Sequence, residues 1–357
     1  TLCVFVVINV TTCNREQKKL SLEDGMAQEQ KLLHLHVENT TALGAVFEAC
    51  KTRVAAALNR APDLAGQLRT TVGYDGRDLD KHLASADAVF CWDLPRDHLA
   101  ERAPNLRWIH VHGAGINHWM PLNELPRQIV LTNSRGVHGE RATEYVMMAI
   151  LALNNRLPEL VTNQRQGLWR QCFSSSLSGK TLLIIGVGNI GHSVARWAKS
   201  VGLRVLGVRR SGKARRWVDE MHKVANLHKV LPQADFVLIS APHTDETDQL
   251  IGPAELDLMK SGAGLVNYSR AALVDYEALR VRLNDGQLSA VLDVFSPEPL
   301  PADSPLWVAS NLLITPHCSS DDEAYYTPRT LDLVLANARR LIEGKALRNR
   351  VSRQLQY

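Results

Sequence analysis

The sequence predicts an α/β protein built from two Rossmann-like, doubly wound domains, with one domain inserted into the other, which is discontinuous. Short apolar strands alternate with helical stretches along the chain from residue 31 onward, which is the pattern of α/β architecture. The length of 357 residues suits two domains of roughly 150 residues each. A glycine-rich turn between a strand and a helix opens the second run of strands.

The first part of the chain predicts four short strands. They cover residues 32–37, 88–92, 108–111 and 129–132, and a helix is expected over 42–58. Next come nine consecutive apolar residues on a helix, from Tyr145 to Leu153. A helix that is apolar on all sides must be covered on all sides, in a core or between subunits. Pro158 ends or restarts this helix.

The second part predicts six strands that are apolar without polar alternation, as in a parallel sheet covered on both faces. These strands span 181–185, 204–208, 236–240, 264–267, 290–294 and 312–315. A helical tail over 321–344 is expected to return to the first domain. We therefore assign residues 131–315 to the cofactor domain, and residues 26–130 with 316–357 to the substrate domain. Residues 1–25 are expected to be non-native or disordered, because Met26 reads as the natural start.

Composition excludes several classes of function. The net charge of +4 is too small for this length to predict nucleic-acid or membrane binding. No segment approaches the ~20 apolar residues of a membrane span. The six cysteines are scattered without C-x-x-C spacing, which favours reduced thiols in a cytoplasmic protein and no metal site.

The strongest local signal is the segment Gly186-Val-Gly188-Asn189-Ile190-Gly191. It follows a predicted strand and opens a predicted helix, the context in which G-x-G-x-x-G binds a dinucleotide. The first glycine permits the tight turn, the second lets the backbone approach a pyrophosphate, and the third allows close packing of helix on strand. The helix N-terminus then faces the phosphates.

The second strand of this unit ends in Arg209-Arg210-Ser211. Enzymes that use NAD place Asp or Glu about 20 residues after the glycines, where it binds the ribose 2′-hydroxyl. Arginine pairs instead with a 2′-phosphate through charge-assisted hydrogen bonds, and Ser211 adds a hydroxyl. We therefore predict NADP(H) as the cofactor; the alternative is that this basic cluster is a solvated surface.

Four segments, in order, resemble the signatures of the D-isomer-specific 2-hydroxyacid dehydrogenases. They are the glycine segment from Leu177 to Gly191, Asn267-Tyr-Ser-Arg270-Ala-Ala-Leu-Val-Asp275, Leu292-Asp293-Val-Phe-Ser-Pro-Glu298-Pro-Leu, and Thr315-Pro-His317. Within the family, Arg209 and the loop Gly113-Ala-Gly115 look most like NADPH-dependent glyoxylate/hydroxypyruvate reductases.

The resemblance implies a catalytic triad. Arg270 would hold the keto acid through its carboxylate, His317 would donate a proton to the keto oxygen, and Glu298 would orient His317. The residue types suit these roles, because histidine titrates near neutral pH, a carboxylate favours the imidazolium, and the arginine fork matches a carboxylate.

Further positions carry over from the resemblance. Asp293 would accept a hydrogen bond from the nicotinamide amide, and Pro242 and Thr244 would line the adenosine side. Ala114 and Gly115 would offer backbone N–H groups to the substrate carboxylate, although this loop also reads as a plain turn. Trp92 would shape the pocket, or else belong to the core.

The sequence thus predicts an oxidoreductase that reduces a small 2-keto acid to the D-2-hydroxy acid with NADPH, working as a homodimer through the cofactor domain. Two rivals remain. One is a nucleotide-sensing binding protein like the C-terminal-binding-protein corepressors, which resemble this family. The other is a dehydrogenase of the family that acts on a different anion, such as phosphite.

Overall fold

The computed structural model describes residues 32–357, and the expectations stated for residues 1–25 lie outside this range. Residues 33–133 contain a five-stranded parallel sheet in the order β2-β1-β3-β4-β5. Its strands are β1 Leu33–Asn39, β2 Leu68–Tyr74, β3 Ala88–Cys91, β4 Trp108–Val111 and β5 Val130–Asn133. This 2-1-3-4-5 order is that of a doubly wound sheet.

A second parallel sheet has seven strands in the order β12-β11-β10-β9-β6-β7-β8. Its strands are β6 Thr181–Ile185, β7 Arg204–Val208, β8 Glu220–His222, β9 Phe236–Ile239, β10 Ala263–Asn267, β11 Leu288–Leu292 and β12 Leu312–Ile314. The order reverses between β6 and β9, and ligands bind at such a switch point in open α/β sheets.

Each sheet is covered on both faces, which explains the apolar runs of its central strands. Successive residues of β6 alternate between two cores: Leu183 and Ile185 enter one, and Leu182 and Ile184 enter the other. The first sheet is likewise enclosed by two clusters. Parallel strands buried on both faces carry continuous apolar sequence.

Ten α-helices lie in the part of the chain that the structure describes. They are α1 Lys51–Asn59, α2 Leu79–Leu83, α3 Leu99–Arg102, α4 Gly139–Asn154, α5 Leu157–Arg165, α6 Asn189–Ser200, α7 Leu227–Val230, α8 Pro253–Asp257, α9 Tyr276–Asn284 and α10 Tyr326–Ile342. None of the helices within residues 32–357 is long and apolar enough to cross a membrane.

The last helix packs on the first sheet although it follows the second in sequence. Leu331, Val334 and Leu335 of α10 share an apolar core with Leu35 and Phe90. The first sheet is therefore completed by residues from both ends of the described chain, and the second sheet is formed by the residues between them.

Two expectations about local structure were wrong. The predicted helix 42–58 is two short 3₁₀ turns followed by α1, because Gly44 adopts a φ of 88° and interrupts it. The half-exposed strand β2 was missed, as was β8, which has only three residues. Helix α4 is covered only in part within the chain, since Met148 is 49% exposed and Leu151 is 43% exposed, so the expectation that it is covered between subunits stays a prediction.

Candidate active site

The glycine turn lies where the strand order of the second sheet reverses. Gly186, directly after β6, has a φ of 99°, and a Cβ there would stand 2.4 Å from the backbone nitrogen of Ala241. A Cβ at Gly191 would stand 2.5 Å from the carbonyl oxygen of Gly186, whereas one at Gly188 meets nothing within 4 Å. Two of the glycines thus permit close packing, and the third leaves open space at the N-terminus of α6.

Two loops flank this turn. Arg209-Arg210-Ser211 follows β7 as a tight turn, closed by a hydrogen bond from the Gly212 N–H to the Arg209 carbonyl (3.1 Å). The loop that begins at Pro242 follows β9 and is closed by the Thr247 hydroxyl, which donates to the Pro242 carbonyl at 2.8 Å. The neighbouring Asn189 and Ile190 form the first turn of α6. The predicted cofactor residues therefore gather at the carboxyl ends of adjacent strands.

A histidine–carboxylate pair lies at the end of β12. His317 Nδ1 is 2.7 Å from Glu298 Oε2, and the other carboxylate oxygen accepts a hydrogen bond from the Phe295 N–H at 2.7 Å. Because the carboxylate can only accept, Nδ1 carries a proton and Nε2 is the atom left to exchange one with a ligand. His317 itself has a φ of 48°, in the left-handed region.

Asp293 holds the backbone that carries this histidine. Its carboxylate is fully buried and accepts hydrogen bonds from the N–H groups of Cys318 (3.1 Å) and Ser319 (3.2 Å). The Thr315 hydroxyl donates to it at 2.6 Å, so the Tyr145 hydroxyl must donate to Thr315 at 2.8 Å. A chain of hydrogen bonds thus runs from α4 to the loop of His317. The predicted contact of Asp293 with nicotinamide stays a prediction.

Arg270 reaches from the second sheet to the loop after β4. Its Nη2 lies 1.6 Å from where a Cβ of residue 115 would stand, so only glycine fits there beside the guanidinium. Its Nε donates to Asn117 Oδ1 at 3.1 Å and its Nη1 to the Ser269 carbonyl at 2.5 Å. Burial lowers the pKa of Arg270, and the charge of Glu298 opposes this shift. No carboxylate in residues 32–357 forms a salt bridge with Arg270. The two hydrogen bonds use two of its five N–H groups, so three remain for a ligand.

The loop after β4 forms the opposite wall. Asn133 Nδ2 donates to the Ala114 carbonyl at 2.7 Å, and a Cβ at Gly113 would stand 3.2 Å from Trp92. Trp92 is half-buried and stacks on His118, with ring centroids 4.8 Å apart. Burial lowers the pKa of His118. The structure thus brings Trp92 beside the loop of Ala114 and Gly115.

Sequence reasoning missed the side chains of Asn117, the last residue of the predicted loop, and of His118, which follows it. It also missed a second histidine–carboxylate pair: His138 Nδ1 lies 3.7 Å from Asp321 and 3.2 Å from the Ser320 carbonyl. Burial lowers the pKa of His138 and raises that of Asp321. No motif marks these residues; for Asn117 and His118, proximity to the glycine loop was the only signal available.

No group of three or more His, Cys, Asp or Glu side chains within residues 32–357 is arranged to hold a metal ion. Over the same range the four cysteines, Cys50, Cys91, Cys172 and Cys318, are free thiols. The groups that the structure brings together at the site are a guanidinium, an imidazole–carboxylate pair and a glycine turn.

Comparison with known proteins is consistent with this geometry. The sequence profile described as "D-isomer specific 2-hydroxyacid dehydrogenase, NAD binding domain" matches residues 147–319. A glyoxylate reductase of Korarchaeum cryptofilum is 35% identical over 230 residues, which cover 62% of this chain and 68% of that protein.

Two solved structures share the fold. A D-isomer specific 2-hydroxyacid dehydrogenase from Xanthobacter autotrophicus Py2, in complex with NADPH and MES, superposes with a TM-score of 0.77 at 27% identity and covers 90% of this chain and 99% of its own. An NADPH-dependent glyoxylate/hydroxypyruvate reductase from Sinorhizobium meliloti, in complex with NADP and sulfate, gives a TM-score of 0.75 at 25% identity, with 91% and 99% covered.

Proposed function

Because the chain belongs to the D-isomer specific 2-hydroxyacid dehydrogenase family, we propose that it reduces a small 2-keto acid, glyoxylate or hydroxypyruvate first, to the D-2-hydroxy acid with NADPH. The observation that carries this proposal is the half-buried guanidinium of Arg270. It lies against Gly115 without a carboxylate partner in the described chain. A half-buried cation without a carboxylate partner favours an anion as its ligand.

The substrate carboxylate completes this site. Three N–H groups of Arg270 remain available once Asn117 and Ser269 have taken two, and a planar fork binds a carboxylate through two parallel hydrogen bonds. Backbone N–H groups of the loop at Ala114 and Gly115 supply further donors from the opposite wall. The acid is therefore bound with its keto carbon directed between Arg270 and His317.

His317 acts as the acid in reduction. With Nδ1 held by Glu298 at 2.7 Å, Nε2 delivers its proton to the keto oxygen as negative charge develops there. Glu298 stabilises the imidazolium and keeps the ring in the required tautomer. Arg270 polarises the same oxygen. In the oxidative direction Nε2 accepts the proton of the hydroxyl group.

The glycine turn fits a dinucleotide, because open space lies above Gly188 at the N-terminus of α6. The nicotinamide supplies the hydride when bound. We propose NADPH over NADH, since Arg209, Arg210 and Ser211 stand where an NAD enzyme has an acid; two related proteins of known structure bind NADPH or NADP. Pro242 and Thr244 line the adenosine side, and Asp293 the nicotinamide side.

We propose that residues 134–315 form the cofactor domain and that residues 32–133 with 316–357 form the substrate domain, with the reaction in the cleft between them. The boundary expected at residue 131 falls inside β5, which belongs to the first sheet. Arg270 on one side contacts Gly115 and Asn117 on the other. Closure of the two halves on the ligand would therefore assemble the carboxylate clamp and exclude water at the same moment.

We also propose a homodimer. Apolar side chains are left exposed on α4, on α5 and on the segment that follows: Met148, Leu151, Leu157, Leu168, Trp169 and Phe173. Trp169 is 96% exposed and Phe173 is 81% exposed. Large exposed apolar groups on neighbouring segments mark a protein interface, and the expected occupant is the same face of a second copy.

The test is a panel of 2-keto acids, each measured beside its methyl ester where stable, with NADPH and NADH in parallel. The acid should exceed the ester in kcat/KM by roughly a hundredfold, because unpaired buried donors cost about 1–3 kcal/mol each. Arg270→Lys keeps the charge but loses the fork, and should raise KM for the acid without changing the Kd of NADPH. Equal turnover of acid and ester would reject the clamp.

The cofactor proposal is tested separately with Arg209→Asp, which places a carboxylate against the 2′-phosphate. The variant should lose kcat/KM with NADPH and keep it with NADH. A wild-type preference for NADH would contradict the proposal and leave the carboxylate clamp unaffected.

A further inference from the structure

The last seven residues of the sequence, 351–357, form a strap that is anchored on the first sheet. The Val351 N–H donates to the Leu131 carbonyl at 2.9 Å. The Arg353 guanidinium donates to four backbone carbonyls, those of Leu122 (2.8 Å), Leu125 (2.7 Å), Pro126 (2.8 Å) and Ile129 (3.4 Å). The strap therefore starts from a fixed point on the proposed substrate domain.

The other end of the strap contacts the second half of the chain. Gln356 and Asp245 exchange two hydrogen bonds, from Gln356 Nε2 to Asp245 Oδ2 at 3.1 Å and from the Asp245 N–H to Gln356 Oε1 at 3.2 Å. The Arg210 guanidinium carbon lies 5.6 Å from the centre of the Tyr357 ring. Asp245 belongs to the loop after β9 and Arg210 to the loop after β7, so the strap joins both loops assigned to the adenosine side.

The contact with Tyr357 constrains how Arg210 presents its donors. A guanidinium over an aromatic face is attracted by the ring, and its N–H groups point outward in its own plane. Within residues 32–357 Arg210 forms no salt bridge. The aromatic ring thus orients the cation without consuming the hydrogen bonds that a phosphate needs.

From this arrangement we propose that Tyr357 is a positioning residue for the 2′-phosphate of NADPH, and that the strap holds Arg210 in place from the substrate domain. The inference rests on the proposed NADPH dependence. It adds that discrimination between NADPH and NADH depends on a residue outside the nucleotide-binding sheet, about 147 positions after the arginine that it supports.

The experiment compares Tyr357→Ala with Tyr357→Phe, which keeps the aromatic face. The cation–aromatic attraction at an exposed site corresponds to roughly a two- to fivefold change in affinity. Tyr357→Ala should raise the Kd of NADPH, and the inhibition constant of adenosine 2′,5′-bisphosphate, by that factor. The Kd of NADH and kcat should stay unchanged, and Tyr357→Phe should match the wild type.

Gln356→Ala removes the side-chain link to Asp245 and leaves the ring in place, so it should shift NADPH affinity in the same direction by a smaller factor. Equal losses for NADPH and NADH in Tyr357→Ala, or no loss at all, would overturn the inference while the enzyme still preferred NADPH. A wild-type preference for NADH would instead overturn the proposed cofactor, and this inference with it.

Discussion

Two buried histidines make the first sheet sensitive to acid. His110 lies on β4 and His112 directly follows it, and burial lowers the pKa of each to about 3. His112 has no hydrogen-bond partner on either ring nitrogen. In the unfolded chain both histidines have a pKa near 6.5, so the unfolded chain binds protons at a higher pH than the folded chain does. Above pH 6.5 the two histidines are neutral in both states and leave the free energy of unfolding unchanged. As the pH falls from 6.5 toward 3, the free energy of unfolding decreases.

The size of the effect follows from the two pKa values. Between pH 7 and pH 5 a histidine with an unfolded pKa of about 6.5 and a folded pKa of about 3 loses about 2 kcal/mol of unfolding free energy. His110 and His112 together account for about 4 kcal/mol, a large part of the 5–15 kcal/mol that stabilises a typical protein. Burial also lowers the pKa of His34 and His82, which acts in the same direction.

The assay is urea unfolding at pH 7 and pH 5 for the wild type and for His112→Leu. Leucine removes the titrating group from an apolar environment that includes Phe90 and Tyr326, and it leaves no hydrogen bond broken. The variant should lose about 2 kcal/mol less than the wild type over this pH range. An equal loss in both proteins would show that His112 is protonated in the folded state and refute the reasoning.

Three further predictions concern the site and the assembly. His317→Ala should lower kcat by roughly 10²–10⁴-fold with little change in the Kd of NADPH, and Glu298→Gln should lower the upper pKa of the pH–rate profile for reduction; an unmoved profile would contradict the second role. Gly115→Ala should lower kcat/KM for the keto acid by roughly 10- to 100-fold by displacing the guanidinium, whereas Gly139→Ala, whose Cβ meets nothing within 4 Å, serves as the neutral control. Leu151→Glu should convert the protein to a monomer in light scattering, and a wild type that is already monomeric at micromolar concentration would rule out the dimer.

Apolar patterning predicted the central strands because each is buried on both faces. The bounds of β4, β6 and β7 agree with those expected from the sequence. Two of the four edge strands carry no such signal: β2 is half-exposed and contains two threonines, and β8 has only three residues. The other two edge strands, β5 and β12, were predicted. Local patterns therefore predict the interior of a sheet better than its margins.

The site was predictable where function is tied to a short segment, as at Gly186 or His317. Contacts between segments that are distant in the sequence could not be predicted in this way. Asn117 and Arg270 are 153 positions apart, and their hydrogen bond depends on how the two halves pack. The burial of Asp293 behind the loop of His317 likewise depends on the tertiary structure. A motif identifies the reacting groups, whereas the surroundings that set their orientation are known only once the chain is folded.

The second sheet is inserted between segments of the first half of the molecule, and this affects how the chain folds during synthesis. The segment that forms the second sheet leaves and re-enters the first half at neighbouring points, since His138 lies 3.2 Å from the Ser320 carbonyl. Closing a loop of this length costs only about 2.5 kcal/mol more than closing one of ten residues, so the insertion itself is inexpensive. The difficulty is the order in which the segments of the first half are synthesised. The apolar face of Leu35 and Phe90 is covered by α10, which follows the second sheet in the chain, so the nascent first sheet remains open to aggregation until the second sheet and α10 have left the ribosome.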